Sequence, residues 1–172
     1  MYADAFAADP RLADNLRDRY LQRAAFAAAL GAAGQGEDAA QLDDDAKAKL
    51  RGQALKWLTA DLTALRTLLD SDPSQAWSFV ADTLSLWHKH TSLASIRDKD
   101  ALAKLPADEQ SGFTRLWADV ASLLKKANGP PSLAVLLQQL PEARKALPKE
   151  SPQLAGLLAQ IGMGLLEQKK WT

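Results

Sequence analysis

The chain has no cysteine among its 172 residues. Disulfides, thiolate zinc sites and a cysteine nucleophile are therefore excluded. It has no surplus of either charge, with Lys+Arg and Asp+Glu both 21. Non-specific nucleic-acid binding draws on a basic surplus that displaces counterions, so no nucleic-acid partner is expected. No apolar run approaches the roughly 18 residues of a membrane span. The best stretch, residues 24–33, is short and mostly alanine. No basic region followed by an apolar stretch opens the chain, so no signal peptide is read and a cytoplasmic location is expected. β-branched residues are few, and no segment alternates apolar and polar between turn signals, which argues against strands.

What is present is helical spacing. The chain is 47% hydrophobic and 24% charged, ordinary for a folded globular protein and long enough to bury a core. Leu12, Leu16 and Tyr20 step by four, and Phe26 and Leu30 continue the face, so the pattern predicts a helix over 12–33. Gly31, Gly34 and Gly36 mark its end. The clearest helix is 43–70, where Leu55, Leu58, Leu62, Leu65 and Leu69 step by 3, 4, 3, 4. Asp43, Asp44 and Asp45 at its start suit the free N–H groups and the dipole. Asp70-Ser71-Asp72-Pro73 stops it. Helices follow over 74–90, with Trp77, Val80, Leu84 and Trp87 on one face, and over 107–127, with Phe113, Leu116, Val120 and Leu123. Asn128-Gly129-Pro130-Pro131 is the strongest break in the chain. A short helix is expected over 132–140 with Ser132 as its cap, then turns punctuated by Pro141 and Pro148. Ser151-Pro152 opens the last helix, with proline at a first-turn position.

Few residues suggest chemistry. His88 and His90 are the only histidines. A spacing of two on a helix sets them about 200° apart, which cannot chelate one metal as an i,i+4 pair does. They read as helix-end residues, with Lys89, near a negative dipole end. Asp43, Asp44 and Asp45 lack the alternating ligands, central glycine and terminal glutamate of a calcium loop. GAAGQGED around Gly31, Gly34 and Gly36 has no preceding strand and no Gly-Lys-Ser/Thr, so it is not a phosphate loop. Of the five tryptophans, Trp57, Trp77, Trp87 and Trp117 sit in or beside apolar helix faces and are expected in the core, and Trp171 stands apart. Lys125-Lys126 and Lys169-Lys170 read as solvated helix ends. No catalytic, cofactor-binding or metal-binding residue is expected.

The two ends resemble tetratricopeptide repeats, whose antiparallel helix pairs stack into a solenoid. Tyr2, Ala5, Phe6, Asp9 and Pro10 look like the end of a second repeat helix. Ile161-Gly162 with Leu165 and Leu166 look like a first repeat helix, and Lys169-Lys170-Trp171 like the turn toward a missing second one. Residues 1–127, through YADAFAADPRLAD, GQGEDAAQLDDDAKAKLRGQALKWLTADL and ALAKLPADEQSGFTRLWADVASLLKKA, resemble the C-terminal helical region of planctomycete-type bacterial serine/threonine kinases that carry such repeats. There the region is an accessory interaction module. The kinase signatures themselves are missing: no Gly-rich loop, His-Arg-Asp loop or Asp-Phe-Gly. The chain departs from that family in two ways. Residues 149–172 look like the start of a repeat found elsewhere in such proteins, and the cysteine common near Phe26 is absent.

The expected architecture is all-α, six to seven helices packed as antiparallel hairpins in a tetratricopeptide-like bundle or short solenoid. The expected divisions are a repeat-like domain over 1–127, a proline-rich connector over 128–150, and a helix over 151–172 folded back on 107–140 as a cap. The expected function is a non-catalytic scaffold that receives a protein or peptide, with self-association through unpaired repeat ends. An engineered helical chain without an evolved function, and a small helical ligand-binding protein or enzyme, are the alternatives.

Overall fold

The computed structural model describes residues 2–9, 11–14, 16, 18–37, 39–71, 73–128 and 133–169. Pro10, Asp72, Gly129, Pro130, Pro131, Ser132, Lys170 and Trp171, singled out above, lie outside the described residues. Within them the chain is all-α, without a strand. The helices are α1 (Tyr2–Ala8), α2 (Arg11–Asp14), α3 (Tyr20–Ala32), α4 (Asp44–Ser71), α5 (Pro73–Lys89), α6 (Ala94–Arg97), α7 (Lys99–Leu102), α8 (Ala107–Asn128), α9 (Leu133–Ala146) and α10 (Pro152–Lys169). Single 3-10 turns lie at Ala39–Gln41 and Thr91–Leu93.

Local signals set most boundaries. Asp43 Oδ1 accepts the Ala46 N–H at 2.7 Å, the capping bond expected of a carboxylate there. Gly34 ends α3 in the left-handed region, φ 74°, which costs glycine no steric penalty. Its N–H donates to Gly31 O and that of Gln35 to Leu30 O, both at 3.0 Å, satisfying carbonyls the helix leaves open. Ser151 Oγ accepts the Leu154 N–H at 3.3 Å and starts α10. The end of α5 is held from a distance. Arg97 Nη1 donates to His90 O at 2.9 Å and to Trp87 O at 3.4 Å, while its Nε donates to Asp98 at 2.9 Å.

Two boundaries differ from the periodicity. The helix expected over 12–33 is interrupted, and α3 begins only after Arg19, whose φ of 54° is left-handed. That conformation costs a non-glycine residue roughly 1–2 kcal/mol. The Arg19 guanidinium lies 5.4 Å from the Phe79 ring centroid, a favourable cation–ring contact, and its charge acts on Asp61. Pro141 does not end a helix but lies inside α9. The proline removes one bond, to the carbonyl of Leu137. Both residues are exposed, so water can serve that carbonyl while α9 packs through its other side.

α4 is the spine, and it contacts α3, α5 and α8. α3 meets it through small side chains. Ala24, Ala25, Ala28 and Ala29 are buried, and a Cβ on Gly31 would stand 3.1 Å from Leu50 Cδ1. α8 lies on the other side of α4, so close that a Cβ on Gly112 would stand 2.8 Å from Leu55 Cδ2. Charged pairs fix its direction. Arg51 pairs with Glu109 near the starts of α4 and α8, and Lys126 pairs with Asp70 near their ends. The two helices therefore run parallel. Likewise Arg19 meets Phe79, and seven residues on, the Phe26 ring lies 4.5 Å from that of His90, so α3 and α5 run parallel. Leu58, Leu65, Val80, Leu84, Phe113 and Val120 fill the space between, each almost wholly buried. α9 touches α5, and α10 lies along α9.

Truncating Leu65, 1% exposed at the centre of this core, should cost about 2–5 kcal/mol. Leu65→Ala in urea denaturation measures it. Leu166→Ala, at an exposed site, should stay within about 0.5 kcal/mol.

Candidate functional site

The histidines, aspartates, glycines and lysines considered for chemistry are placed apart. His88 is exposed, its ring 5.7 Å from that of Trp117. His90 turns the other way, toward Phe26, and its Nδ1 accepts the Ser92 N–H at 3.3 Å. Among the described residues no three of His, Asp or Glu come together as metal ligands. Asp44 and Asp45 are exposed in the first turn of α4. Lys125 and Lys126 are exposed near the end of α8. Trp57 and Trp87 are buried, and Trp77 and Trp117 pack partly against the core. The Trp57 ring stands edge-on to Phe6 at 5.6 Å, and Trp117 Nε1 donates to Ile96 O at 2.7 Å. The four described tryptophans thus sit in or against the core.

Two places break the ordinary rules of burial. The first is on the outside. Residues 151–166 carry no charge over sixteen positions, in a chain that is 24% charged. α10 is built almost wholly from them, and a helix apolar all round calls for cover on all sides. Among its described residues the cover is a single stripe: Ser151, Leu154 and Ile161 are buried, with Leu157 and Gly162 partly so. Leu158, Met163, Leu165 and Leu166 are 41–65% exposed, and Leu137 of α9 is 46% exposed. Five of the six exposed large apolar side chains among the described residues are therefore on this hairpin. The backbone is open there too, since a Cβ added at Gly156 or Gly162 would meet nothing within 4 Å.

The second is inside. Asp61, midway along α4, is 4% exposed. Burial pushes its carboxyl up to about 6, against the opposing pull of the Arg19 charge. Periodicity could not single it out, because Asp61 reads as a polar residue between Leu58 and Leu62. Only the packing of α4 among α3, α5 and α8 places it in the interior.

Comparison with family models, with curated proteins and with solved structures found no match. No described helix is long and apolar enough to cross a membrane.

Asp61 makes stability depend on pH in a defined direction. Its folded value lies above the unfolded 3.8, so the folded state holds the proton more tightly. The group's contribution is full below about pH 4 and declines as pH rises through 6, leaving a cost of roughly 2–3 kcal/mol at pH 7. Asp61→Asn should recover about 2 kcal/mol at pH 7 and nothing near pH 4. Thermal melts of both proteins across that range measure the difference.

Proposed function

We propose that the protein is a non-catalytic helical interaction module, and that the outer face of the α9–α10 hairpin is its contact surface. The observation that carries this is the uncharged stretch 151–166, folded as a helix and covered on one stripe alone. Leaving leucine and methionine side chains in water forgoes on the order of 1.5–3 kcal/mol for each that a partner could fully bury. A partner helix with its own apolar stripe fits such a face, because i, i+3, i+4 and i+7 anchors pack between leucines. The open positions over Gly156 and Gly162 let a second backbone come near.

The stacked-repeat reading has support of its own. α3 and α5 run parallel, α4 and α8 run parallel, and the consecutive pairs α3–α4, α4–α5, α5–α8 and α9–α10 pack together, as helices of stacked hairpins do. In such a stack the last hairpin offers one face to whatever comes next. The partner is then a protein or peptide, with a second copy of this chain as the simplest case.

Leu158→Gln with Leu166→Gln should lower the binding of an environment-sensitive apolar dye several-fold, with the melting temperature held within about 2 °C. Dye binding that does not change would remove the surface from consideration. Sedimentation across a concentration series shows whether a second copy covers the face. A catalytic turnover abolished by one point substitution would overturn the non-catalytic reading.

A further inference from the structure

The uncharged stretch 151–166 has a finer pattern than its composition shows. Leu154 and Ile161, seven residues apart, mark the buried side of α10. Away from them Pro152, Ala155, Ala159, Met163 and Leu166 step by 3, 4, 4 and 3, so they share one face of the helix. All five are exposed. Gly156 and Gly162 stand three residues to either side of Ala159, and a Cβ on either would meet nothing within 4 Å. Side-chain size is divided along this face. The N-terminal half, up to Ala159, is small, and the C-terminal half carries Met163 and Leu166.

A face with one small half and one large half is matched by the same face turned end for end. We propose that a second copy of this chain covers it, with α10 packed antiparallel on its counterpart about a two-fold axis at Ala159. This rests on the α9–α10 face being the contact surface, and it names the partner. In that register Met163 of each copy lies over Ala155 of the other, and Leu166 over Pro152. Gly156 lies opposite Gly162, so the backbones cross closely at the axis. A parallel pair would set Met163 on Met163 and Ala155 on Ala155, crowding one end and leaving the other unfilled. Charge points to the same occupant. In a two-fold interface a patch meets itself, so any charge near the axis meets its own like. Residues 151–166 carry none, and that repulsion is missing. A partner selected by opposite charge would find nothing on this face to hold it.

Size sets the strength. An 18-residue helix is about 27 Å long and 10–12 Å across, so each copy offers roughly 300 Å² in projection. That is the small end of specific interfaces, so the dimer is expected at roughly tens of micromolar chain and above, with monomer below.

The chain has no cysteine, so single introduced cysteines report the pairing without background. A disulfide needs Cα atoms within about 7 Å. Under mild oxidation Ala159→Cys should crosslink to itself. Ala155→Cys and Met163→Cys should each crosslink poorly alone and several-fold better when mixed. Each of these two crosslinking to itself as well as in the mixture would overturn the antiparallel register. Sedimentation of the unaltered chain, from a few to several hundred micromolar, should show the average mass rising toward twice that of the monomer. Ala159→Glu, which sets two carboxylates face to face at the axis, should hold the monomer mass with the melting temperature unchanged. A monomer mass for the unaltered chain at every concentration would overturn the second copy as partner. Dye binding at a few micromolar, where the chain is monomeric, separates that result from failure of the surface itself. If Leu158→Gln with Leu166→Gln still lowers it several-fold, the face stands and a different protein covers it.

Discussion

Everything in the first three quarters of the structure depends on α4 being apolar on more than one side. A helix that packs on one neighbour needs a single stripe. α4 has α3, α5 and α8 around it, and its 28 residues give it the length to hold all three. The close approaches are made by small residues. Alanines on α3 and Gly112 on α8 bring backbones near to leucines of α4, so that the leucines fill the space that larger partners would occupy. The hydrophobic driving force is non-directional, and it does not choose between parallel and antiparallel neighbours. Direction comes from connections and charged pairs. A single residue separates α4 from α5, so those two must fold back, whereas Arg51–Glu109 and Asp70–Lys126 match α8 to α4 end for end.

Polar groups in such a core have to be accounted for one by one. Asp61 is buried, and the nearby Arg19 charge opposes but does not cancel the effect of that burial on its carboxyl. The Arg97 side chain answers two carbonyls at the end of α5. Trp117 finds a carbonyl on Ile96. These contacts are long in sequence and specific in geometry, and they give the apolar packing a unique arrangement. The α9–α10 hairpin has much less of this. Its buried stripe is narrow, and its outer face is apolar without cover. The contrast between a core closed on every side and a hairpin closed on one separates the supporting part of the fold from the part proposed to meet a partner.

Much of this was legible in the residues. The 3-4 spacing of apolar residues announced α4, α5 and α8, and the boundaries at Asp43, Gly34 and Ser151 followed from capping chemistry. Those signals are local, and local signals survive in a one-dimensional reading. Arg19, Pro141 and Asp61 were not legible. The four-residue steps of Leu12, Leu16 and Tyr20 ran straight through Arg19, since no residue there is a strong breaker, yet Arg19 is left-handed and α3 begins only after it. Proline signals a stop wherever its missing bond is buried, but exposure of Leu137 and Pro141 lets α9 continue. Asp61 looked like any polar residue one step from a leucine.

The sequence by itself determined the class of the protein: helices everywhere, no thiol chemistry, no net charge, and one long stretch, 151–166, without a charge. Hydrophobic period and capping act within a few residues, so they need no fold to take effect. Tertiary structure alone decided which polar groups are interior and which apolar groups are exposed. Burial belongs to the arrangement of helices, and that arrangement rests on contacts between residues tens of positions apart. Leu158 and Leu166 are leucines of a helical pattern like any others until α10 is seen to lie along α9 with that face exposed.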